Sequence, residues 1–241
     1  MLFRSIFHEV QDGVVWAKPS KRGPGSLHEM FAKLGIINQL NQFHRIRKVL
    51  IRARKALMGG VNNDSWNCSL LRDVVSGQIY SLESFARKQA LLMMFICRHC
   101  PYVVHVQNEL ARIGREYPDK PLGIVAISSN DPDQYPDDVP ERLKELAQPL
   151  DFRFPVLFDQ TQSIAKWYRA ACTPDFYLFD EQRLLVYRGQ LDDSRPERGR
   201  PVTGRDLRAA IDAVLSGASV SSVQNPSIGC SIKWKPGNEP E

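Results

Sequence analysis

The chain has 241 residues, 43% hydrophobic and 24% charged, so it has room for a substantial buried core and its composition excludes a disordered or fibrous chain. Its five cysteines, Cys68, Cys97, Cys100, Cys172 and Cys230, are odd in number and unevenly spaced, unlike a small secreted disulfide scaffold. With no apolar run of membrane-spanning length and no secretory signal pattern, the expected setting is a reducing cytoplasm without a membrane span.

The formal charge of +5 is lopsided. Residues 1–60 carry eleven Lys and Arg against three acids, formally +8, which leaves −3 for the rest. The body of the protein is mildly acidic, so no nucleic-acid partner is expected. The boundaries read from the sequence are a basic extension over residues 1–60, a main domain over 61–218 and a tail over 219–241. Residues 1–26 show no clear period. From His28 to Leu57, apolar residues recur at helical spacing while basic residues crowd the end, which predicts an amphipathic helix with one solvated face.

After Gly60 the pattern changes. Cys68–Val74, a Ser76/Gly77 turn and Ile79–Tyr80 predict a small hairpin, with Ser81 starting a helical turn through Phe85. Strand 89–96 leads into Cys97, and 101–117 predicts a helix stopped before Pro118. Leu122–Ser128, LGIVAIS, reads as a strand buried on both faces. The polar, proline-punctuated stretch 130–140 reads as a loop, and a helix is expected over 141–147. A strand over 154–158, a helix from Thr161 to Arg169, a hairpin of 176–179 with 184–188, and a helix from Thr203 to Leu215 complete the series. Thr203 and Asp206 stand at capping-box spacing for that last helix. Alternating strands and helices with a terminal hairpin make an α/β protein, a central mixed sheet flanked by helices, with an extra N-terminal hairpin.

The chemistry-bearing stretch is Leu91–His105, LLMMFICRHCPYVVH. Cys97 and Cys100 stand three apart where a buried strand passes into a helix, and the free N–H groups and dipole at a helix start favour a thiolate. Cys97 is the expected nucleophile, titrating below a free thiol, and Cys100 the residue that resolves a mixed disulfide. Two other readings compete: half of a metal site, or a pair of core cysteines. A zinc site usually needs a second CxxC or a pair of histidines, which the sequence lacks.

Taken together, the segments SLESF, FICRHCPYVVH, GIVAISSND, FPVLFD, CTPDFYLFD and GCSIKWK resemble the thioredoxin fold, and more narrowly the peroxiredoxin-like branch of the alkyl hydroperoxide reductase/thiol-specific antioxidant superfamily. The resemblance covers nearly everything after residue 64. It implies a thioredoxin-like fold, an antioxidant or redox-homeostasis role, and a cis-proline facing the CxxC. Thr173 and Pro174 occupy that position and would form the substrate-binding ledge. A peroxidatic site carries a threonine three residues before its cysteine, a proline before that and a later arginine. Here Cys97 and Met93 stand in the first two places and Cys172/Thr173 near the third, so direct peroxidase activity is not expected. His99, just before the second cysteine, resembles the protein disulfide isomerases, so His99 and Arg98 are expected to tune the sulfurs electrostatically.

The sequence thus points to a thiol-disulfide oxidoreductase that needs no cofactor and no metal, acts on a protein or small-molecule disulfide and is recycled by a thiol reductase. The alternative is a soft-metal binding or delivery module, for Cu or Zn, using Cys97 and Cys100 with Cys172 or Cys230. Cys172 and Cys230 are candidate accessory thiols. Ile232 and Trp234 alternate like a short strand, which predicts that the tail folds back and brings Cys230 near Cys172.

Overall fold

The computed structural model describes residues 7–11, 14–17 and 70–239 apart from 197. The chain divides into two compact units, residues 1–57 and 58–241. In the first, strands β1 (Phe7–Gln11) and β2 (Val14–Ala17) pair antiparallel, with Gln11 opposite Val14. The aromatic and β-branched residues here have strand propensity, which the Lys/Gly/Pro-rich stretch beyond them obscures when residues 1–26 are read as one irregular segment. The basic helix expected over 28–57 and Cys68 lie outside the described residues.

The described part of the second unit begins with the predicted hairpin in shorter form, β3 (Leu71–Arg72) against β4 (Ile79–Tyr80). Gly77 takes the left-handed φ of +74° that the turn needs. Asp73 fastens the hairpin to the main sheet, accepting from Ser76 N at 2.9 Å and, through its other oxygen, from Val156 N at 2.9 Å.

The main sheet has five strands: β5 (Ala90–Phe95), β6 (Leu122–Ser128), β7 (Val156–Phe158), β9 (Asp175–Phe179) and β10 (Leu185–Gly189), in the order β10-β9-β5-β6-β7. β5, β6 and β7 are parallel, while β9 and β10 form the antiparallel hairpin. Every residue of β5 is fully buried, because both faces of the sheet are covered. Leu92, Met94 and Ile96 pack with Val103, Val106, Leu110 and Ile113 of helix α1 (Pro101–Glu116) and Leu207, Ile211 and Val214 of α4 (Arg205–Leu215). Leu91, Met93 and Phe95 face the other way, toward Ile164 and Ala165 of α3 (Ser163–Trp167) and the short turn Leu82–Phe85. Helix α2 (Pro140–Ala147) follows a 3-10 turn at Pro136–Asp138 inside the stretch read as loop. The arrangement is the thioredoxin-like α/β fold that the sequence implied.

Two helix starts differ from expectation. The helix predicted from Thr161 begins at Ser163, and it is Asp159 that accepts the first-turn N–H groups of Ile164 at 3.1 Å and Ala165 at 3.0 Å. Before α4, Asp192 holds the entering turn, accepting from Thr203 N at 2.6 Å and Gly204 N at 2.7 Å. The first-turn N–H groups of Asp206 and Leu207 both go to the Leu191 carbonyl at 3.2 Å, Arg205 N donates to Thr203 Oγ1 at 3.3 Å, and the Asp206 side chain turns to Gln190 instead of closing a capping box. An acceptor well upstream of a helix satisfies such donors as a local cap does.

Phe95 anchors the aromatic cluster on the face of the sheet away from the two cysteines. It is fully buried, edge-on to Tyr177 with centroids 5.6 Å apart and tilted against Tyr168 at 6.4 Å. Phe95→Ala should cost about 3–5 kcal/mol, the range for a large ring removed from a packed core, read as a lower denaturation midpoint at unchanged slope.

Candidate active site

The last β5-to-β6 bond, Ile96 N to Ile127 O at 2.9 Å, holds the chain to the edge of Cys97. Four residues later Pro101 starts α1, a position where a missing N–H costs nothing, with Cys100 as its N-cap. This puts the CxxC at the carboxyl end of a central parallel strand, where open α/β sheets gather their sites. The Thr173-Pro174 bond is cis, as the resemblance implied. Thr173, in the short strand β8 (Cys172–Thr173), meets both sulfurs: its Oγ1 lies 3.2 Å from Cys97 Sγ, and its carbonyl accepts from the Cys100 thiol at 3.1 Å. Both cysteines are fully buried in the reduced form.

The residue that organises the rest is Asp138, which the sequence reading passed over. It is fully buried and accepts from Arg98 N at 2.7 Å and Asn130 Nδ2 at 2.8 Å. His99 Nδ1 lies 2.6 Å from its second oxygen, though the ring N–H is not aimed along a hydrogen bond. The His99 ring stacks on Tyr135 at 5.4 Å. Arg98 sends its guanidinium elsewhere, to the exposed Asp137 at 3.0 Å and Glu145 at 3.7 Å, so the expected tuning by Arg98 reaches the site through its backbone N–H.

Removing the acceptor should be costly. Asp138→Ala leaves the Arg98 N–H and the Asn130 amide without their partner, at about 1–3 kcal/mol each, whereas Asp138→Asn keeps the shape and one oxygen. A fall in stability that is larger for alanine than for asparagine, by chemical denaturation of the reduced protein, is the expected result. Equal stability of all three proteins would rule out this role.

The two thiols titrate as a unit. When one sulfur is ionised, the other's S–H donates to it, so the first proton leaves below the ordinary thiol range and the second is held above it. The charge is favoured on Cys100, where the Cys97 thiol comes first and the Cys230 thiol, the Cys230 N–H and the Val103 N–H add to it against the cost of burial. At Cys97 the proton is retained through its bond to Cys100, through burial and through the Asp138 carboxylate. What titrates below a free thiol is thus the pair as a unit, and the helix-start donors meet it one turn beyond Cys97, at Cys100. Ionisation trades the Cys100 bond to the Thr173 carbonyl for these donors.

The tail does fold back, onto the strand that holds Cys172 and Thr173. Strand β11 (Cys230–Ser231) pairs antiparallel with β8, with Cys230 opposite Thr173 and Ser231 opposite Cys172. Cys230 thus lies one register step from Cys172, near enough to act on its thiol as expected, and it also bears on Cys100, which was not expected. Cys172 is buried, its sulfur 3.7 Å from the Pro174 carbonyl, and burial beside Asp175 pushes its thiol up to about 12. Ile232, expected to lie in a strand, is instead a buried anchor just beyond it. Further along, Lys233 N donates to Asn130 Oδ1 at 2.9 Å, and its carbonyl accepts from Asp131 N at 2.8 Å and Gln162 Nε2 at 2.8 Å. Asn130 therefore holds the tail with one end of its amide and Asp138 with the other.

The expected metal set is also altered. Among the described residues, the ligand atoms that lie together, all within 4.8 Å of one another, belong to Cys97, His99 and Asp138. A signal for Asn130 was present: it follows the carboxyl end of the strand next to the CxxC strand, where site residues collect.

Residues 67–188 match the model of the AhpC/TSA family. The chain belongs to the AhpC/TSA family. A conserved protein of uncharacterised function from Geobacillus kaustophilus is 55% identical, with a TM-score of 0.68 over 70% of this chain and 89% of its own. A hypothetical protein from Sinorhizobium meliloti 1021 is 47% identical, with a TM-score of 0.69 over 70% of this chain and 92% of its own. No curated protein matches. Among the described residues, no helix of this AhpC/TSA member is long and apolar enough to cross a membrane.

Proposed function

We propose that the protein is a thiol-disulfide oxidoreductase whose Cys97 and Cys100 exchange with a disulfide substrate. The observation that carries the reading is that both sulfurs bear on one residue, Thr173, beside the cis-proline. In the reaction, Cys97 attacks the substrate disulfide and releases one substrate thiolate. Cys100 then attacks Cys97 Sγ, forming the Cys97–Cys100 bond and releasing the second thiolate. A thiol reductase restores the pair, and the role is antioxidant or redox homeostasis in the cytoplasm. Thr173 and Pro174 form the ledge for the substrate, and the neighbouring surface of Tyr102, His105 and Ile228 widens it. Peroxide is a poor substrate, since the threonine, proline and arginine of a peroxidatic site are replaced.

The test is a thiol count before and after mild oxidation by glutathione disulfide, with peptide mapping. A Cys97–Cys100 linkage supports the reading; retention of both free thiols sinks it.

Stabilising a thiolate favours the reduced form, so the couple should be less reducing than thioredoxin's roughly −270 mV. The sign follows from the lowered first ionisation. Its stabilisation of the reduced fold is complete above the ordinary thiol pKa and is lost as pH falls through the pair's lowered pKa. Thiolate absorbance at 240 nm in the reduced protein should therefore persist well below the ordinary thiol range. A potential below thioredoxin's, or absorbance that titrates like a free thiol, would contradict it.

A second reading rests on the Cys97, His99 and Asp138 cluster, a thiolate, an imidazole and a carboxylate suited to a zinc-like ion. It predicts stoichiometric metal in the purified protein, lost on His99→Ala. Metal-free protein with an active CxxC decides against it.

A further inference from the structure

We infer that Cys230 is a third redox thiol, which takes the disulfide from the CxxC pair by exchange at Cys100. The inference rests on the CxxC reading above and adds a step to it. Three observations converge. Strand β11 sets Cys230 directly opposite Thr173, the residue whose carbonyl bonds Cys100 Sγ, so the two cysteines flank one peptide unit. The approach is as close as a backbone allows: Gly229 lies so tightly on Thr173 that an added Cβ would sit 2.0 Å from its carbonyl oxygen. The segment is also held on both sides, upstream by Ser227 Oγ donating to Gly189 O at 2.7 Å and downstream by the Lys233 bonds. The Cys230 thiol and N–H both reach the Cys100 sulfur.

The exchange balances without an added oxidant. With Cys97 and Cys100 oxidised to a disulfide by the substrate, which has left as two thiols, the Cys230 thiolate attacks Cys100 Sγ. The Cys100–Cys230 bond forms, the Cys97–Cys100 bond breaks, and the electron pair leaves on Cys97, which takes up a proton equivalent to the one Cys230 gave up. Cys97 is free for another substrate. The disulfide has moved from two fully buried sulfurs to one whose outer partner is only half-buried, where a reductant meets it.

Peptide mapping under non-reducing conditions decides this. Cys97→Ser, treated with glutathione disulfide and alkylated, should lose a pair of free thiols and yield a Cys100–Cys230 linked peptide with no covalent link between chains. Cys97→Ala is the second variant should serine perturb folding, and oxidised wild-type protein should show both linkages. Cys100 and Cys230 left free, or each capped singly by glutathione, would overturn the proposal. Cys230→Ser separates the two readings. If it still forms Cys97–Cys100 while the Cys97 variants form no linkage, this inference fails and the CxxC reading stands; if it forms no Cys97–Cys100 bond, the CxxC reading itself fails.

Discussion

Replacing Cys100 with serine should abolish turnover and leave Cys97 carrying the substrate. The serine hydroxyl cannot displace a thiolate, so the mixed disulfide formed by Cys97 has no internal route to release, and exchange should fall by roughly a thousandfold or more, the scale on which removing a nucleophile acts. Mass spectrometry of Cys100→Ser after incubation with a disulfide should find the adduct on Cys97. Cys97→Ser, by contrast, should form no adduct at that position. Because burial and the Asp138 carboxylate still hold the Cys97 proton once the Cys100 thiol is gone, capture should be slower than for an exposed helix-start thiolate, and Asp138→Asn in the Cys100→Ser background should speed it. Adduct on Cys230 alone would show that the tail thiol attacks first and would reverse the order of steps.

The second large effect lies in the tail. Gly229→Ala introduces a Cβ that would sit 2.0 Å from the Thr173 carbonyl oxygen and 2.6 Å from its carbon. Real contacts do not reach such distances and both atoms are backbone, so β11 must leave β8. Overpacking typically costs about 1–3 kcal/mol where neighbours can shift, and here the shift detaches the strand. The expected result is a Tm lower by several degrees, a tail cleaved faster by protease, and a Cys230 that alkylates like an ordinary exposed thiol. Unchanged Cys230 alkylation in Gly229→Ala would show that the strand pairing does not hold the tail.

What was legible in the sequence was local. The apolar run 91–96, its junction with Cys97 and Cys100, the β-branched strand 122–128 and the hairpin before Leu185 are patterns of a few residues, and each fixes one element. Thr173-Pro174 came from the family resemblance, not from any period. Asp138 was hidden because it lies among prolines and acids that read as solvated loop, while its burial comes from Arg98 and Asn130, 40 and 8 residues away. Cys230 was legible as a thiol on a tail that folds back, but its neighbour was not, because a one-residue step in strand register decides between Thr173 and Cys172 as its partner. The missed helix starts share this cause, since Asp159 and the Leu191 carbonyl satisfy first-turn donors from outside the local capping positions.

The complete burial of Cys97 and Cys100 bears on kinetics as well as on titration. A sulfur with no surface cannot collide with a reagent, so every encounter waits for a transient opening of the fold around it. At low reagent concentration the reaction rate rises in proportion to it; at high concentration it levels off at the opening rate, the same ceiling for a small alkylating agent and for the natural substrate.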